Sequence, residues 1–468
     1  MDNICRGDSC MDFKKLFKRK KTDGISLTTK AKNILGDSAD VIFSDFHIGA
    51  NGKVKMTLLY IDGLVDTNLI NDFILKPLIT GEQFNYLDNS RDIVNLIEEG
   101  RLYFASHKVV YTTEDCLAEV MMGNVAIIFD NVNTAITFDV KGFDKRSITE
   151  PSGENVLKGA KDTFIEVLRT NTALVRRKIS TPNLKVKQVV VGEQTITHIA
   201  IIYIDGITNA NLVDEVIKRI EGLEIDEVVT IGYIEEYIID NKITAFPLLA
   251  STERTDKFCA NIISGRVGVL IDGLPMGIVI PGVLNQFLQA PEDYAQNYLV
   301  SSIIRLMRYF LMFLTLLLPG FYVSVVTFHQ EMIPTDLALS IASSKQGVPF
   351  PSFVEVLLML IAFEILLEAG LRLPKNIGDA VSIVGALIVG EAAVSARIVS
   401  PGIVIVVALT ALATFTMPNQ DLSNALRLWR FVLTIFSSIA GLVGLAIGSL
   451  LLLLHLCTIE TFGIPYLI

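Results

Sequence analysis

The stretches "MTLLYIDGLVDTNLI" (Met56–Ile70) and "IAIIYIDGITNANLV" (Ile199–Val213) carry the same tetrapeptide, YIDG, in the same setting. Each runs from an apolar segment through Asp-Gly into a pattern with helical spacing. "VKMTLLYI" and "ITHIAIIYI" have the length and β-branched content of buried strands. "DTNLINDFILKPLI" and "TNANLVDEVIKRIEGL" read as amphipathic helices, capped by Asp66 or Thr67 in the first and by Thr208 or Asn209 in the second. A second pair of landmarks follows. "GNVAIIFDNVNTAITFDV" (Gly123–Val140) and "GRVGVLIDGLPMGIVIP" (Gly265–Pro281) each read as strand, tight turn and strand, with Asp130-Asn131 and Asp272-Gly273 making the turn. The YIDG tyrosines are Tyr60 and Tyr203 and the hairpin glycines Gly123 and Gly265, so both pairs share one spacing to within a residue. This is a tandem duplication of an α/β unit, with a period too long for a solenoid. Asp62-Gly63 and Asp205-Gly206 read as turns rather than sites: no GxGxxG, P-loop or nucleophile elbow follows either strand.

The 468 residues are 51% hydrophobic and 19% charged, with a mean hydropathy of +0.49, more apolar than soluble proteins usually are. The excess is concentrated. Up to about Asp293 the pattern is α/β; beyond it long uncharged runs take over. The expected fold is therefore an α/β region of two duplicated subdomains followed by an α-helical, polytopic membrane domain. The expected layout is a basic flexible tail (1–39), a first subdomain (40–150), a basic helical connector (151–186), a second subdomain (187–294) and the membrane domain (295–468).

A net charge of −10 does not favour nucleic-acid binding. Two basic stretches are local exceptions. "KKLFKRKK" (Lys14–Lys21) is either a solvated tail or a contact for an anionic leaflet. In the connector, Arg169, Arg176 and Arg177 either pair with neighbouring carboxylates or meet a partner subunit or acidic lipid. Five cysteines without CxxC spacing and five unpaired histidines point to no disulfide framework, metal or cofactor, and no nucleophile–base pattern suggests an enzyme. The N-terminus has no apolar signal-peptide core. The first membrane span is then the targeting signal, and the preceding region is expected in the cytosol.

Five segments form the expected membrane domain: 309–328, 352–374, 380–397, 398–417 and 431–457. The first, "YFLMFLTLLLPGFYVSVVTF", is long enough to cross a bilayer and follows Arg305 and Arg308. Arg427 and Arg430 precede the last. The second carries Glu355, Glu364 and Glu368, and the third Glu391 and Arg397. Glu364, Glu368 and Arg372 share a helix face, with Glu355 about half a turn away. Carboxylates inside a membrane helix face protein or water rather than lipid. The stripe reads either as the lining of an ion path or as a structural charge cluster. Five full spans put the C-terminus outside, and one re-entrant segment puts it inside.

Four motifs, "LRTNTALVRRKISTPNLK", "LPGFYVSVVTFHQEMIPTDL", "GVPFPSFVEVLLMLIAFEILLEAGLRLP" and "GDAVSIVGALIVGEAAVSARIVSPGIVIVVALTALATF", resemble the A-subunit family of spore germinant receptors, the GerA family. The resemblance runs from about residue 40 to the end. It implies the inner membrane of an endospore, a transporter-like B subunit and a lipoprotein C subunit as partners, a homo-oligomer, and a nutrient-triggered release of monovalent cations. It also implies a polar cytosolic tail beyond "FGIPYL". On that picture Glu364, Glu368 and Glu391 face a cation path, and Leu316, Leu317, Pro319 and Phe321 form an apolar gate or helix break. A SpoVAF-like accessory germination protein shares these motifs. A secondary transporter with a regulatory cytosolic domain is the reading from another class.

Overall fold

The structure, a computed structural model, describes residues 26–49, 52–102, 104, 106–142, 162–372 and 390–467. The basic stretch 14–21, the first part of the connector and most of segment 380–397 lie outside the described residues. Two compact units divide the chain: one takes both α/β repeats through Ile280, and the other takes Ile239–Ala250 and Pro281 onward.

The first repeat begins with helix α1 (Leu27–Leu35), whose Leu27, Ala31 and Leu35 are buried. This helix falls within the segment 1–39 read as a flexible tail. Strands β1 (Val41–Ile48) and β2 (Val54–Ile61) follow, then a helix over 67–80 (α2) whose middle, Ile70–Leu75, has π geometry. Helix α3 (Ser90–Glu98), strand β3 (His107–Val110), helix α4 (Thr113–Met121), and strands β4 (Val125–Phe129) and β5 (Thr134–Phe138) complete it. The second repeat has the same plan: α5 (Leu168–Lys178), β6 (Leu184–Val191), β7 (Thr197–Ile204), α6 (Ala210–Glu221), α7 (Ile231–Ile238), β8 (Ala250–Thr252), α8 (Thr255–Ile263), β9 (Val267–Ile271) and β10 (Gly277–Ile280). The strand orders, β1-β2-β4-β5-β3 and β6-β7-β9-β10-β8, coincide, and β1–β2, β2–β4, β4–β5, β3–β5, β6–β7, β7–β9 and β9–β10 pair antiparallel. Helix α5, read as a connector, stands where α1 stands in the first repeat.

The YIDG turns are built alike. Gly63 and Gly206 adopt φ of +84° and +82°, a left-handed conformation that glycine reaches without steric cost. The Asp62 N–H donates to Asp40 O at 2.8 Å and the Asp205 N–H to Asn183 O at 2.8 Å. The Asp66 carboxylate caps α2 through the N–H groups of Asn68 and Leu69, and Asn209 caps α6 through the N–H of Asn211. Both are short polar side chains suited to that position. The central strands β4 and β9 are buried along their whole length, as their uninterrupted apolar runs require.

The second unit is helical: α9 (Tyr298–Phe328), α10 (Thr335–Ser344), α11 (Ser352–Arg372), α12 (Pro401–Phe415) and α13 (Gln420–Thr458). Among the described residues α9 and α13 are long and apolar enough to cross a membrane, and α12 is shorter. Segment 431–457, read as one span, is not straight. Ala440 and Gly441 leave helical geometry, Gly441 with φ +60°, and the chain turns back on itself. The rings of Trp429 and His455 lie 5.5 Å apart, whereas a straight helix would separate them by about 39 Å. A Cβ at Gly448 would touch Leu433 and Phe436, and one at Gly444 would overlap the Phe436 carbonyl. These small residues let arms 420–439 and 442–458 pack closely. Each arm is about 25–30 Å long.

The turn of this hairpin sits against the end of α9, where a Cβ on Gly441 would meet Phe328 and His329. The other end of the unit gathers the start of α9 and the chain's C-terminal residues. Leu284 N–H donates to Tyr466 O at 2.9 Å, Phe246 and Phe287 stack near Tyr466, and the Tyr309 hydroxyl bonds Asn285 at 2.8 Å. Asp293, in the turn Pro291–Tyr294, is bound by Arg308 at 2.6 Å and Arg305 at 3.2 Å.

Candidate functional site

Helix α11 carries two carboxylates inward, and they meet different partners. The Glu364 carboxylate accepts from Arg430 Nη2 at 2.6 Å and from Arg427 Nη1 at 3.0 Å. Both arginines lie on the first arm of α13, three residues apart and so on one face. Arg430 is fully buried, and Arg427 and Glu364 are mostly so. Two guanidinium groups face one carboxylate.

Glu355, nine residues earlier, is the most buried carboxylate among the described residues, at 0% exposure. Its Oε2 accepts the Ser400 N–H at 2.7 Å, and its Oε1 is 3.4 Å from Lys345 Nζ. Ser400 is the N-cap of α12, and its own hydroxyl makes no capping bond. Glu355 thus caps α12 from a neighbouring helix, placing negative charge at the positive end of its dipole. Lys345 also donates to Ser352 Oγ. The Tyr322 hydroxyl, Ser400 Oγ and Glu355 Oε1 are buried without a hydrogen-bond partner.

The expected stripe does not converge on one site. Glu364 is held by the arginines, Glu368 is exposed, and Glu391 is exposed in a short helical stretch starting beside Val404. Glu355, set apart from the stripe by its angular position, turns out to be a central charge. Arg427 and Arg430, read as flanking positive charges, are the partners of Glu364. Their three-residue spacing ahead of an apolar run was the available signal, yet it does not distinguish a flank from a buried pair.

The apolar gate is dispersed as well. Leu316 and Pro319 are buried, Leu317 is half-buried, and Phe321 points outward. Pro319 lies within α9 without ending it. The neighbouring Gly320 carbonyl accepts from Ser324 Oγ at 2.9 Å and from Ser437 Oγ, and the second bond ties α9 to α13.

In the α/β unit the three arginines of the connector meet carboxylates. Arg176 is buried and pairs bidentately with Asp40 at 2.7 and 2.8 Å, while its Nη1 donates to Leu184 O. That burial removes it from any lipid or partner surface. Arg169 pairs with Asp62 at 2.6 Å and Arg177 with Asp162 at 3.2 Å, both partly exposed. Asp62 and Arg169 border a cleft between the repeats, of about 250 Å³, together with Asp40, Gln188, His198 and Asp272. Cys116 and Cys259 are buried, and burial pushes both thiols up to about 12.

The model of the Bacillus/Clostridium GerA spore germination protein matches residues 29–468. The chain belongs to the GerA family. It is 40% identical to "Spore germination protein KA" of Bacillus subtilis, covering 94% of this chain and 80% of that one. It is 38% identical to "Spore germination protein B1" of the same organism, covering 93% and 89%, and 31% identical to "Spore germination protein GerLA" of Bacillus cereus, covering 92% and 87%. The crystal structure of the N-terminal domain of the A subunit of the Bacillus megaterium spore germinant receptor GerK3 covers 54% of this chain and 92% of its own, at 31% identity and a TM-score of 0.43.

Proposed function

We propose that this GerA-family chain is the A subunit of a nutrient germinant receptor in the spore inner membrane, where it works with a transporter-like B subunit and a lipoprotein C subunit. The observation that carries this reading is the family match over residues 29–468 with relatives named as spore germination proteins. In this reading the helical unit spans the membrane several times, with the α/β unit in the cytosol, and it assembles with further copies around a path for monovalent cations. The charge cluster on α11 supports a gating role. Glu364 is neutralised by Arg427 and Arg430, so its carboxylate offers a cation nothing while they hold it. In this reading the path is closed while the arginines hold Glu364, and opening requires Glu364 to leave them. Carboxylates then exposed toward the path favour cations.

The test is genetic. Spores lacking this gene should stop responding to one class of nutrient and still germinate with a non-nutrient trigger, and an intact copy should restore the response. Normal germination of the deletion spores with every nutrient class would remove the receptor reading.

A further inference from the structure

Arg427 and Arg430 carry two positive charges, and among the described residues Glu364 is the one carboxylate within ion-pair distance of either. The cluster holds a net charge of one. It also holds unused donors: Arg430 Nε and Nη1 and Arg427 Nε are buried without any hydrogen-bond partner. The remaining contacts are neutral. Arg427 Nη2 donates to Asn424 Oδ1, and the Arg430 guanidinium lies 5.7 Å from the Phe431 ring centroid. A fully buried guanidinium with most of its donors unpaired is costly, because desolvation is compensated only where an acceptor replaces water. Native structures rarely leave such groups unmatched.

The missing partner is therefore an anion. Its size follows from position. Arg430 is ten residues before the turn at Ala440, about 15 Å along the arm, so it sits between the ends of the hairpin rather than at one of them. A phospholipid headgroup at an interface is out of place at that depth. Glu364 and Arg427 are the partly exposed members of the cluster, with side chains 26% and 15% exposed, and they form its open edge.

We propose that Arg427 and Arg430 form a binding site for one small monovalent anion, a halide or a simple carboxylate, which completes the neutralisation that Glu364 begins. The anion takes the donors that Glu364 leaves unused, and its negative charge repels the carboxylate held beside it. Occupancy of the site accordingly loosens the hold on Glu364.

The chain's single tryptophan, Trp429, lies between the two arginines in sequence, with its ring against His455, and reports on this part of the hairpin. The purified full chain in detergent is titrated with sodium chloride or sodium acetate, with bulky sodium gluconate at equal concentration as the reference. Binding is read from Trp429 fluorescence, and from the ³⁵Cl NMR line width with acetate as competitor. Wild type should show a saturable chloride effect that acetate reverses. Arg430→Gln should weaken chloride binding by roughly tenfold or more. Glu364→Gln removes the repelling carboxylate and should tighten it, which keeps the proposal testable if Arg430→Gln does not fold. No saturable chloride effect in wild type, an unchanged effect in Arg430→Gln, or no tightening in Glu364→Gln would overturn it.

Discussion

At the scale of single residues, burial separates ion pairs that look alike in sequence. Arg176–Asp40 is dry and bidentate, so removing one partner strands a buried charge. Asp40→Asn should lower stability by about 3–5 kcal/mol, read as a fall in the unfolding midpoint of the full chain. Arg169–Asp62 is half-exposed, and Asp62→Asn should change stability by no more than about 1 kcal/mol. Loss of nutrient response in Asp62→Asn with normal protein level and assembly would mean that the YIDG aspartate is more than a turn residue. Asp293 makes a prediction about pH. Burial pushes its carboxyl up, but hydrogen bonds from Arg308, the Ala290 N–H and Arg305 outweigh this and hold it below its ordinary 3.8. A carboxyl lowered by folding contributes stability that is fully present above its ordinary value and is lost as pH falls through the folded value. The stability difference between wild type and Asp293→Asn should therefore be constant at neutral pH and shrink below about pH 4, as melting curves across that range would show.

At the scale of elements, the fold-back of α13 depends on one residue with a left-handed backbone. Gly441→Ala places a Cβ at φ +60° and within 2.9 Å of Phe328, so it should destabilise the hairpin by about 1–3 kcal/mol. The fold-back also bears on membrane sidedness. It brings the end of α13 back to the end of the unit where α9 begins, through the Leu284–Tyr466 bond. Cys457 is exposed. With Cys5 and Cys10 changed to serine, it should react with a membrane-impermeant maleimide from the same side as a tag on the N-terminus. Labelling from the opposite side would contradict the hairpin. The sequence hid this turn because "SSIAGLVG" (Ser437–Gly444) contains no proline or charge and continues the apolar run. Hydropathy measures that run without regard to its direction. The α/β elements were legible for the opposite reason. Apolar strands, Asp-Gly turns and Asx caps are local signals, and their repetition at one spacing made each copy a check on the other.

At the scale of the molecule, the duplication is legible from landmarks repeated at one spacing, and the switch to helical structure from the abrupt change of composition near Asp293. The charge networks were not legible. Helical spacing placed Glu364 and Glu368 on a shared face, but it has no information on which partner each meets across the bundle. Thus helical spacing sets Glu355 about half a turn off the stripe although it caps α12, and it reads Arg427 and Arg430 as charges preceding a span although they hold Glu364. These contacts join segments 45 to 66 residues apart, and only tertiary structure pairs them. In the proposed mechanism the chain conducts monovalent cations and the arginine pair holds Glu364 back. Potassium efflux from proteoliposomes containing the full chain addresses it directly, comparing wild type with Arg430→Gln and Glu364→Gln. Wild type should be nearly tight, Arg430→Gln should leak potassium faster, and Glu364→Gln should not share that gain. Efflux from all three equal to that of protein-free liposomes would contradict the account.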